Sequence, residues 1–167
     1  MPSFLEGIRV LDLSQLLPGS LCSQMLADLG ADVIKVENPR GGDSFRHARP
    51  LVGKDGSFFH IANRNKRSMT VNLKEQAGLE IVLRMIPDTD VLIENFRPGV
   101  IEKIGLGYEK LKEINPRLVY CSLTSFGQDG PYRDRPAHDL NVLSISGILD
   151  LLGHREESPI VPVVQIA

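Results

Sequence analysis

Cysteine is scarce in this sequence, with two residues among 167, Cys22 and Cys121. They lie far apart and form no CxxC pair, so a disulfide framework or a zinc site is not expected, and both thiols are predicted to be reduced and buried. The four histidines also lack the spacing of metal ligands. We therefore expect no metal site.

Long hydrophobic runs are missing as well. No stretch reaches the roughly 18 apolar residues that a membrane-spanning helix needs. The N-terminal segment MPSFLEGIRVLDLS lacks the charged-then-apolar order of a signal peptide. These absences predict a cytoplasmic protein with no membrane partner.

Neither sign of charge is in large excess, since 19 basic and 21 acidic residues give a formal net charge of -2. That balance predicts no nucleic-acid partner. Hydrophobic residues make up 42% and charged residues 24%, which is typical of globular proteins and unlike disordered, collagen-like or coiled-coil chains. A chain of this length can bury a substantial core as one domain.

What the sequence does contain is an alternation of strand and helix patterns. Apolar, β-rich segments predict strands over 8–13, 31–36, 67–73, 90–94 and 118–123. Helical spacing predicts helices over 21–29, 74–85, 100–104, 108–114 and 138–152. Polar segments, the longest at 37–56 and 126–137, are predicted as loops. This alternation predicts an α/β fold with a mostly parallel sheet and flanking helices.

The first strand, turn, helix and second strand of this pattern are typical of a dinucleotide-binding site. Glu37 stands at the end of the second predicted strand, where an acid could bind a ribose hydroxyl. However, the turn after the first predicted strand, which we call the first turn, is SQLLPGSLC (14–22). It lacks the G-x-G-x-x-G pattern that lets a pyrophosphate approach the backbone. NAD is therefore not expected.

A basic segment, NRNKRS at 63–68, precedes the third predicted strand, and Arg40, Arg46 and Arg49 add to its charge. Such a group either holds phosphates or forms a solvated loop face.

Three polar segments each follow a predicted strand: the first turn, residues 95–99 and the loop after Leu123. Because the carboxyl ends of parallel strands share one edge, these loops are expected to converge on a ligand site.

His138 and Asp139 stand where a Gly- and Pro-rich loop enters a predicted helix. The helix dipole disfavours a protonated imidazole there, which suits a neutral general base. An acid in the first turn of a helix is also favoured by the dipole, and that alone could explain Asp139. The pair is thus either catalytic or structural.

Six blocks of this sequence carry a resemblance to a known family: GIRVLDLS (7–14), LADLGADVIKVE (26–37), NRNKRS (63–68), DVLIENFRPGV (90–100), INPRLVY (114–120) and SFGQDGPY (125–132). On these blocks the chain is identified as a member of the family III CoA-transferases. That family also contains alpha-methylacyl-CoA racemases, carnitine CoA-transferases, bile-acid-inducible CoA-transferases and formyl-CoA transferases.

The resemblance implies a Rossmann-like large domain that binds coenzyme A as an acyl-CoA substrate, without NAD or metal. Residues 1–167 would be the N-terminal portion of that domain, with the small domain and the C-terminal return segment absent. It also implies an interlocked homodimer, or alternatively a partner chain that supplies the C-terminal part.

The resemblance assigns CoA contacts to these positions: Leu17, Pro18, Asn38, Arg40, Val71, Asn72, Leu73, Lys74, Asn95, Phe96, Arg97, Lys103, Arg135, Pro136 and Ala137. Residues 71–74 would line the adenine or pantetheine path, 95–97 would flank the pantetheine, and 135–138 would close over the thioester. Lys103 would contact a phosphate. Many members have arginine where this chain has Asn38, so either Arg40 replaces it or the phosphate is held more weakly.

The family contains two chemistries. In the transferases an aspartate attacks the thioester and forms a mixed anhydride. In the racemases a histidine and an aspartate flank the α-carbon and transfer its proton. His138 falls on the position of the racemase histidine, with Asp139 beside it, so the resemblance favours racemisation of a 2-methylacyl-CoA. CoA transfer between carboxylic acids is the alternative.

Both chemistries need an aspartate that the family places after a stretch resembling Pro159, Pro162 and Ala167. That aspartate is expected immediately past Ala167. The uncharged end SPIVPVVQIA is interpreted as a strand leading into it. We therefore expect no turnover from these residues alone, because they form a fragment, a short subunit or a non-catalytic CoA-binding chain.

Overall fold

A computed structural model describes residues 3–154 and 156–165. The chain divides into two compact units, one ending at Leu123 and the other beginning at Thr124. The sequence showed no linker at this point. The boundary falls one residue after a strand ends and shortly before the predicted polar loop at 126–137.

The first unit contains a parallel five-stranded sheet. Its strands are β1 (Arg9–Asp12), β2 (Asp32–Glu37), β5 (Arg67–Thr70), β6 (Val91–Glu94) and β7 (Val119–Ser122). Their spatial order is β5-β2-β1-β6-β7, and each neighbouring pair is parallel. This order confirms the predicted α/β class and is that of a Rossmann-like fold.

The segment predicted as one long loop has structure of its own. It contains a short antiparallel pair, β3 (Leu51–Val52) and β4 (Asp55–Gly56), preceded by a 3-10 turn over Ser44–His47. Arg46 organises this segment, because its guanidinium binds Glu37 and Asp55 and lies 3.8 Å from the centre of the Phe59 ring. These contacts tie the excursion back to the end of β2.

The helices among the described residues are α1 (Leu16–Asp28), α2 (Ser57–Asn63), α3 (Gln76–Met85), α4 (Val100–Ile104), α5 (Tyr108–Ile114), α6 (Asp139–Ile145) and α7 (Ile148–Leu151). Helix α1 begins five residues before the predicted start, because Pro18 falls in its first turn, where a missing N–H breaks no helical bond. The predicted helix 138–152 is interrupted at Gly147, whose φ is +79°.

Both faces of the central strands β2, β1 and β6 are buried, as is typical of parallel sheets. Alternate residues of each strand point to opposite sides, so Val10 joins one core cluster while Leu11 joins the other. Likewise, Ile93 belongs to the same core cluster as Val10, and Leu92 belongs to the same core cluster as Leu11. The sheet is therefore a rigid support for the loops at its carboxyl edge.

The strand interpretation of the C-terminal end is wrong for its described part. Residues 158–165 form no strand, and Ile160, Val161 and Val163 are exposed. A strand is stable through hydrogen bonds to a neighbouring strand, and no described strand pairs with this segment. Ala167, which precedes the expected aspartate, lies outside the described residues.

Candidate functional site

The strand order reverses direction between β1 and β6, which is where open α/β sheets bind ligands. The last main-chain hydrogen bond between these strands runs from the Leu13 N–H to the Ile93 oxygen, at 2.8 Å. Beyond it, Gln15 and Asn95 are joined by two hydrogen bonds, of 2.9 and 2.6 Å. Two of the predicted loops, the first turn and residues 95–99, therefore meet at this edge.

The first turn is compact because α1 begins within it, at Leu16. A Cβ atom on Gly19 would lie 2.2 Å from the Cβ of Ser14, so this close approach requires glycine. Leu17 is partly exposed and Pro18 is exposed, and both lie at the N-terminal end of α1.

Beneath the first turn lie four buried ionisable side chains, which we call the buried charge cluster: Asp12, Lys35, Asp43 and Lys66. The Lys35 Nζ lies 3.1 Å from Asp43 Oδ2 and 3.7 Å from Asp12 Oδ2, and the Lys66 Nζ lies 3.1 Å from Asp12 Oδ2. Two acids face two bases, so the formal charges cancel, which buried charges need in order to persist.

The buried charge cluster also holds the first turn in place. Asp12 Oδ1 accepts hydrogen bonds from the N–H and the hydroxyl of Ser14, at 2.9 and 2.5 Å. Lys35 donates to the Ser14 carbonyl, at 2.9 Å, and Lys66 donates to the Ser20 carbonyl, at 2.7 Å. Where a dinucleotide-binding fold would use a glycine-rich turn, this chain uses buried side chains.

Burial lowers the pKa of Lys66 to about 8, although the charge of Asp12 opposes that shift. The ammonium group also donates to Asn63 Oδ1, at 2.9 Å. Lys66 therefore joins β1, α1 and α2 through one side chain.

A second buried acid ends β6. Glu94 accepts hydrogen bonds from the Phe96 N–H, at 2.8 Å, and from the Ser122 hydroxyl. Burial raises the pKa of Glu94, and the charge of Glu102 adds to this, while its two donors oppose it. Through the Phe96 amide, Glu94 holds the loop that carries Phe96 and Arg97.

The residues predicted along the adenine or pantetheine path separate into three environments. Val71 is buried in the core. Asn72 closes a turn, because its Oδ1 accepts from the Lys74 N–H at 3.2 Å. Leu73 and Lys74 line an open pocket of about 240 Å³ together with Lys103. The structure thus brings the two predicted lysines to one pocket, where both are exposed.

Asn38 and Arg40 lie in the exposed turn after β2, where Asn38 Oδ1 accepts from the Arg40 N–H at 2.8 Å. Next to them, Glu37 binds the Arg46 guanidinium through both carboxylate oxygens, each at 2.7 Å. Burial opposes ionisation of Glu37, but hydrogen bonds from Arg46, Ser68 and the Asp43 N–H outweigh it and lower its pKa to about 2. Its carboxylate is thus engaged within the fold.

The cations of the basic segment also face carboxylates of this chain. Arg64 binds Asp28 and Arg67 binds Asp32, each with a contact of 2.5 Å. Lys66 belongs to the buried charge cluster. This pairing favours the structural interpretation of NRNKRS over a phosphate site.

The second unit carries the remaining predicted residues. The Arg135 guanidinium lies 4.6 Å from the centre of the Tyr132 ring, Pro136 is exposed and Ala137 is partly exposed. His138 precedes α6, and its N–H donates to Asn141 Oδ1 at 2.9 Å. Asp139 begins that helix.

Sequence reasoning missed the residues that build this edge from within: Asp12, Lys35, Asp43, Glu94 and Gln15. A signal was present for two of them. Asp12 lies between Leu11 and Leu13, and Lys35 lies between Ile34 and Val36. A charged residue between apolar neighbours of a strand indicates a buried ion pair. Asp43 and Gln15 lie in loops, where no pattern marks them.

Within residues 3–154 and 156–165, no group of three or more His, Cys, Asp or Glu side chains is arranged to hold a metal ion. None of the helices in this part of the chain is long and apolar enough to cross a membrane.

The fold and the meeting of the two loops define an α/β domain of the Rossmann type whose switch point lacks the dinucleotide fingerprint. The profile of CoA-transferase family III matches residues 5–167, so the chain belongs to that family. The family resemblance predicted from the six sequence blocks is thereby confirmed.

Individual relatives agree with this assignment. The chain is 44% identical to a succinate–glutarate CoA-transferase from Agrobacterium fabrum, over 98% of this chain and 42% of the relative. It is 40% identical to the human succinyl-CoA:glutarate CoA-transferase, over 96% of this chain and 37% of the relative. The crystal structure of a CAIB/BAIF family protein from Brucella suis matches with a TM-score of 0.92 and 42% identity, covering 99% of this chain and 45% of that one.

The chain spans less than half the length of these relatives. The names of the two sequence relatives support the transferase alternative and give no support to the racemase expectation.

Proposed function

We propose that the protein to which these residues belong transfers CoA between carboxylic acids, with an acyl-CoA donor and a dicarboxylate as donor acid or acceptor. The observation that carries this proposal is the 44% identity to a succinate–glutarate CoA-transferase over nearly the whole chain. The same class of reaction is named for the human relative.

In this proposal the switch-point edge binds CoA. Leu17 and Pro18 would contact CoA, residues 95–97 would flank the pantetheine, and the exposed turn at Asn38 and Arg40 would meet the adenine or its phosphate. Lys74 and Lys103 share a pocket, which supports a role for both in binding phosphate oxygens.

The covalent step needs a carboxylate nucleophile, and the family resemblance expects it just past Ala167. That aspartate would attack the thioester carbonyl and form a mixed anhydride, releasing CoA as the thiolate. The thiolate would return to the aspartyl carbonyl, free the donor acid and give the aspartyl thioester, from which the acceptor acid takes CoA. An interlocked homodimer, which the family resemblance implies, or a partner subunit is also part of the proposal.

The test uses the full-length protein with succinyl-CoA, with and without glutarate, and with a 2-methylacyl-CoA in deuterated buffer. We expect CoA transfer that depends strictly on the acceptor acid. Exchange of the α-proton with solvent deuterium in the absence of acceptor would instead establish the racemase. His138→Asn separates the two further: a transferase should keep kcat within about tenfold, whereas loss of a general base costs about 10²–10⁴.

The phosphate contacts have a test of their own. Lys74→Ala and Lys103→Ala should each weaken CoA binding by about three- to tenfold, since each removes one charged contact at an exposed site. Lys112→Ala is the matched control, because Lys112 lies on α5 and pairs with Glu109. Affinities for CoA are measured by calorimetry. If the two pocket variants bind CoA as tightly as Lys112→Ala does, the phosphates of CoA bind elsewhere.

A further inference from the structure

Asn95 is the first residue after β6, and its side chain is turned toward the first turn rather than left free at the edge. Its Nδ2 donates to the Gln15 carbonyl oxygen at 2.6 Å. Its Oδ1 accepts from the Gln15 N–H at 2.9 Å. Donor and acceptor of one side chain thus bind the main chain of one residue that lies 80 positions earlier.

This pairing continues the sheet after its strands have ended. β1 and β6 are parallel and in register from Val10–Val91 to Asp12–Ile93, and Leu13 makes the last main-chain bond, to Ile93. Gln15 and Asn95 each stand two residues further along, which is the repeat of a strand. A side-chain amide has the same donor and acceptor as a peptide unit, so Asn95 supplies the next rung.

The rung fixes a backbone that needs support. Gln15 is extended, with φ −131° and ψ 162°, and the next residue, Leu16, has φ +61°. A leucine in the left-handed region is unfavourable and persists only where its surroundings hold it. Because both polar groups of Gln15 are bound, the direction of the chain into Leu16 is set, and with it the places of Leu17 and Pro18.

We propose that Asn95 is a positioning residue, which holds the first turn in the conformation that receives the acyl-CoA and does not itself bind CoA through its side chain. This inference rests on the proposed function for the identity of the ligand. Its structural half, that Asn95 fixes the first turn, stands without any ligand.

Two variants of the full-length protein test the structural half. Asn95→Ala removes both hydrogen bonds, and Asn95→Asp keeps the acceptor but sets a carboxylate oxygen against the Gln15 carbonyl. We expect amide hydrogen exchange of residues 15–17, measured by mass spectrometry without CoA, to accelerate about tenfold in both, since one lost bond is worth about that factor. Gln15→Ala is the matched control, because the bonds use its main chain, and its exchange should match wild type.

The functional half is read from kinetics. Both Asn95 variants should raise KM for the acyl-CoA about tenfold and leave KM for the acceptor acid unchanged. Unchanged exchange in Asn95→Ala overturns the inference, as does faster exchange with an unchanged KM for acyl-CoA. If wild type fails to bind CoA, the proposed function fails, and the exchange experiment still decides whether Asn95 fixes the turn.

Discussion

Asp12 and Glu94 occupy matching places, since each is the last residue of a strand, β1 and β6 are neighbours, and both side chains are at most 1% exposed. Their partners differ. Asp12 faces the ammonium groups of Lys35 and Lys66 as well as hydroxyl donors. Glu94 has a hydroxyl and a main-chain N–H, with Glu102 as the nearby charge.

The difference teaches that burial alone does not determine the charge of a carboxyl group. At Glu94, burial is opposed only by neutral donors, and its pKa rises. At Asp12, two cations compensate the cost of burial. The end of β1 is thus supported by equal numbers of buried positive and negative charges. The end of β6 is supported by an acid whose pKa is raised in the folded protein.

The largest effect is expected on the charged side. Asp12→Ala would leave Lys35 and Lys66 with one fewer buried anion and remove the acceptor that binds Ser14. Breaking a buried ion pair by removing one partner costs about 3–5 kcal/mol, and we expect that loss in the free energy of unfolding, measured by urea denaturation at pH 7.

Two variants calibrate this result. Asp32→Ala breaks an exposed pair with Arg67 and should cost about 0–1 kcal/mol. Ser23→Ala removes a single hydroxyl donor from Asp12 and should cost about 1 kcal/mol. If Asp12→Ala costs no more than Asp32→Ala, the charges of the cluster do not support the fold as argued.

The five strands of the parallel sheet could be predicted from sequence because buried parallel strands are short apolar runs between helices. The helices 100–104 and 108–114 were predicted with the bounds that the structure has. Pro18 and Gly19 misled the prediction of α1, since both residues are also compatible with the first turn of a helix. Gly147 interrupted a helix whose apolar spacing continued past it.

The candidate site was predicted only in outline. Strand ends could be located, so the meeting of the first turn with residues 95–99 followed from topology. The contacts between these two loops could not be predicted. Gln15 contributes main-chain atoms, which its residue type does not reveal, and the Asn95 amide does not stand out among the other polar residues of the loops. The two interpretations of the basic segment could not be separated from sequence, since it does not show that Asp28 and Asp32 lie opposite Arg64 and Arg67.

A third acid at this edge sharpens the comparison. Glu37 ends β2 and is buried like Glu94, but its partner is the Arg46 guanidinium, and its pKa falls from an ordinary 4.5 to about 2. The unfolded chain therefore binds the proton more readily, and the stability that Glu37 contributes is present above pH 4.5 and lost as the pH falls to about 2. Glu37→Gln should cost about 2–3 kcal/mol at pH 7.

Denaturation curves between pH 2 and pH 7 check this prediction. The difference in free energy of unfolding between wild type and Glu37→Gln should shrink steadily as the pH falls through that window. Glu80→Gln is the matched control for the loss of a carboxylate, because Glu80 is exposed on α3. A constant difference for Glu37→Gln would show that its carboxylate gains nothing from Arg46.

The smallest effect, of opposite sign, is expected at Glu94. Its raised pKa means that the folded state binds the proton more readily than the unfolded chain, so wild type loses stability as the pH rises above the ordinary value of 4.5. Glu94→Gln cannot ionise and keeps an acceptor for the Phe96 N–H. At pH 7 we expect it to equal or exceed wild type by up to about 1 kcal/mol.

The same pH series measures the difference in free energy of unfolding between Glu94→Gln and wild type. As the pH rises, Glu94→Gln should become more stable relative to wild type, whereas Glu37→Gln should become less stable relative to wild type. Glu94→Ala separates charge from contact, because it also removes the acceptor for the Phe96 N–H and should be less stable than Glu94→Gln at every pH. If Glu94→Gln loses stability relative to wild type as the pH rises, Glu94 is a stabilised carboxylate like Glu37. The contrast between the two sides of the switch point would then not hold.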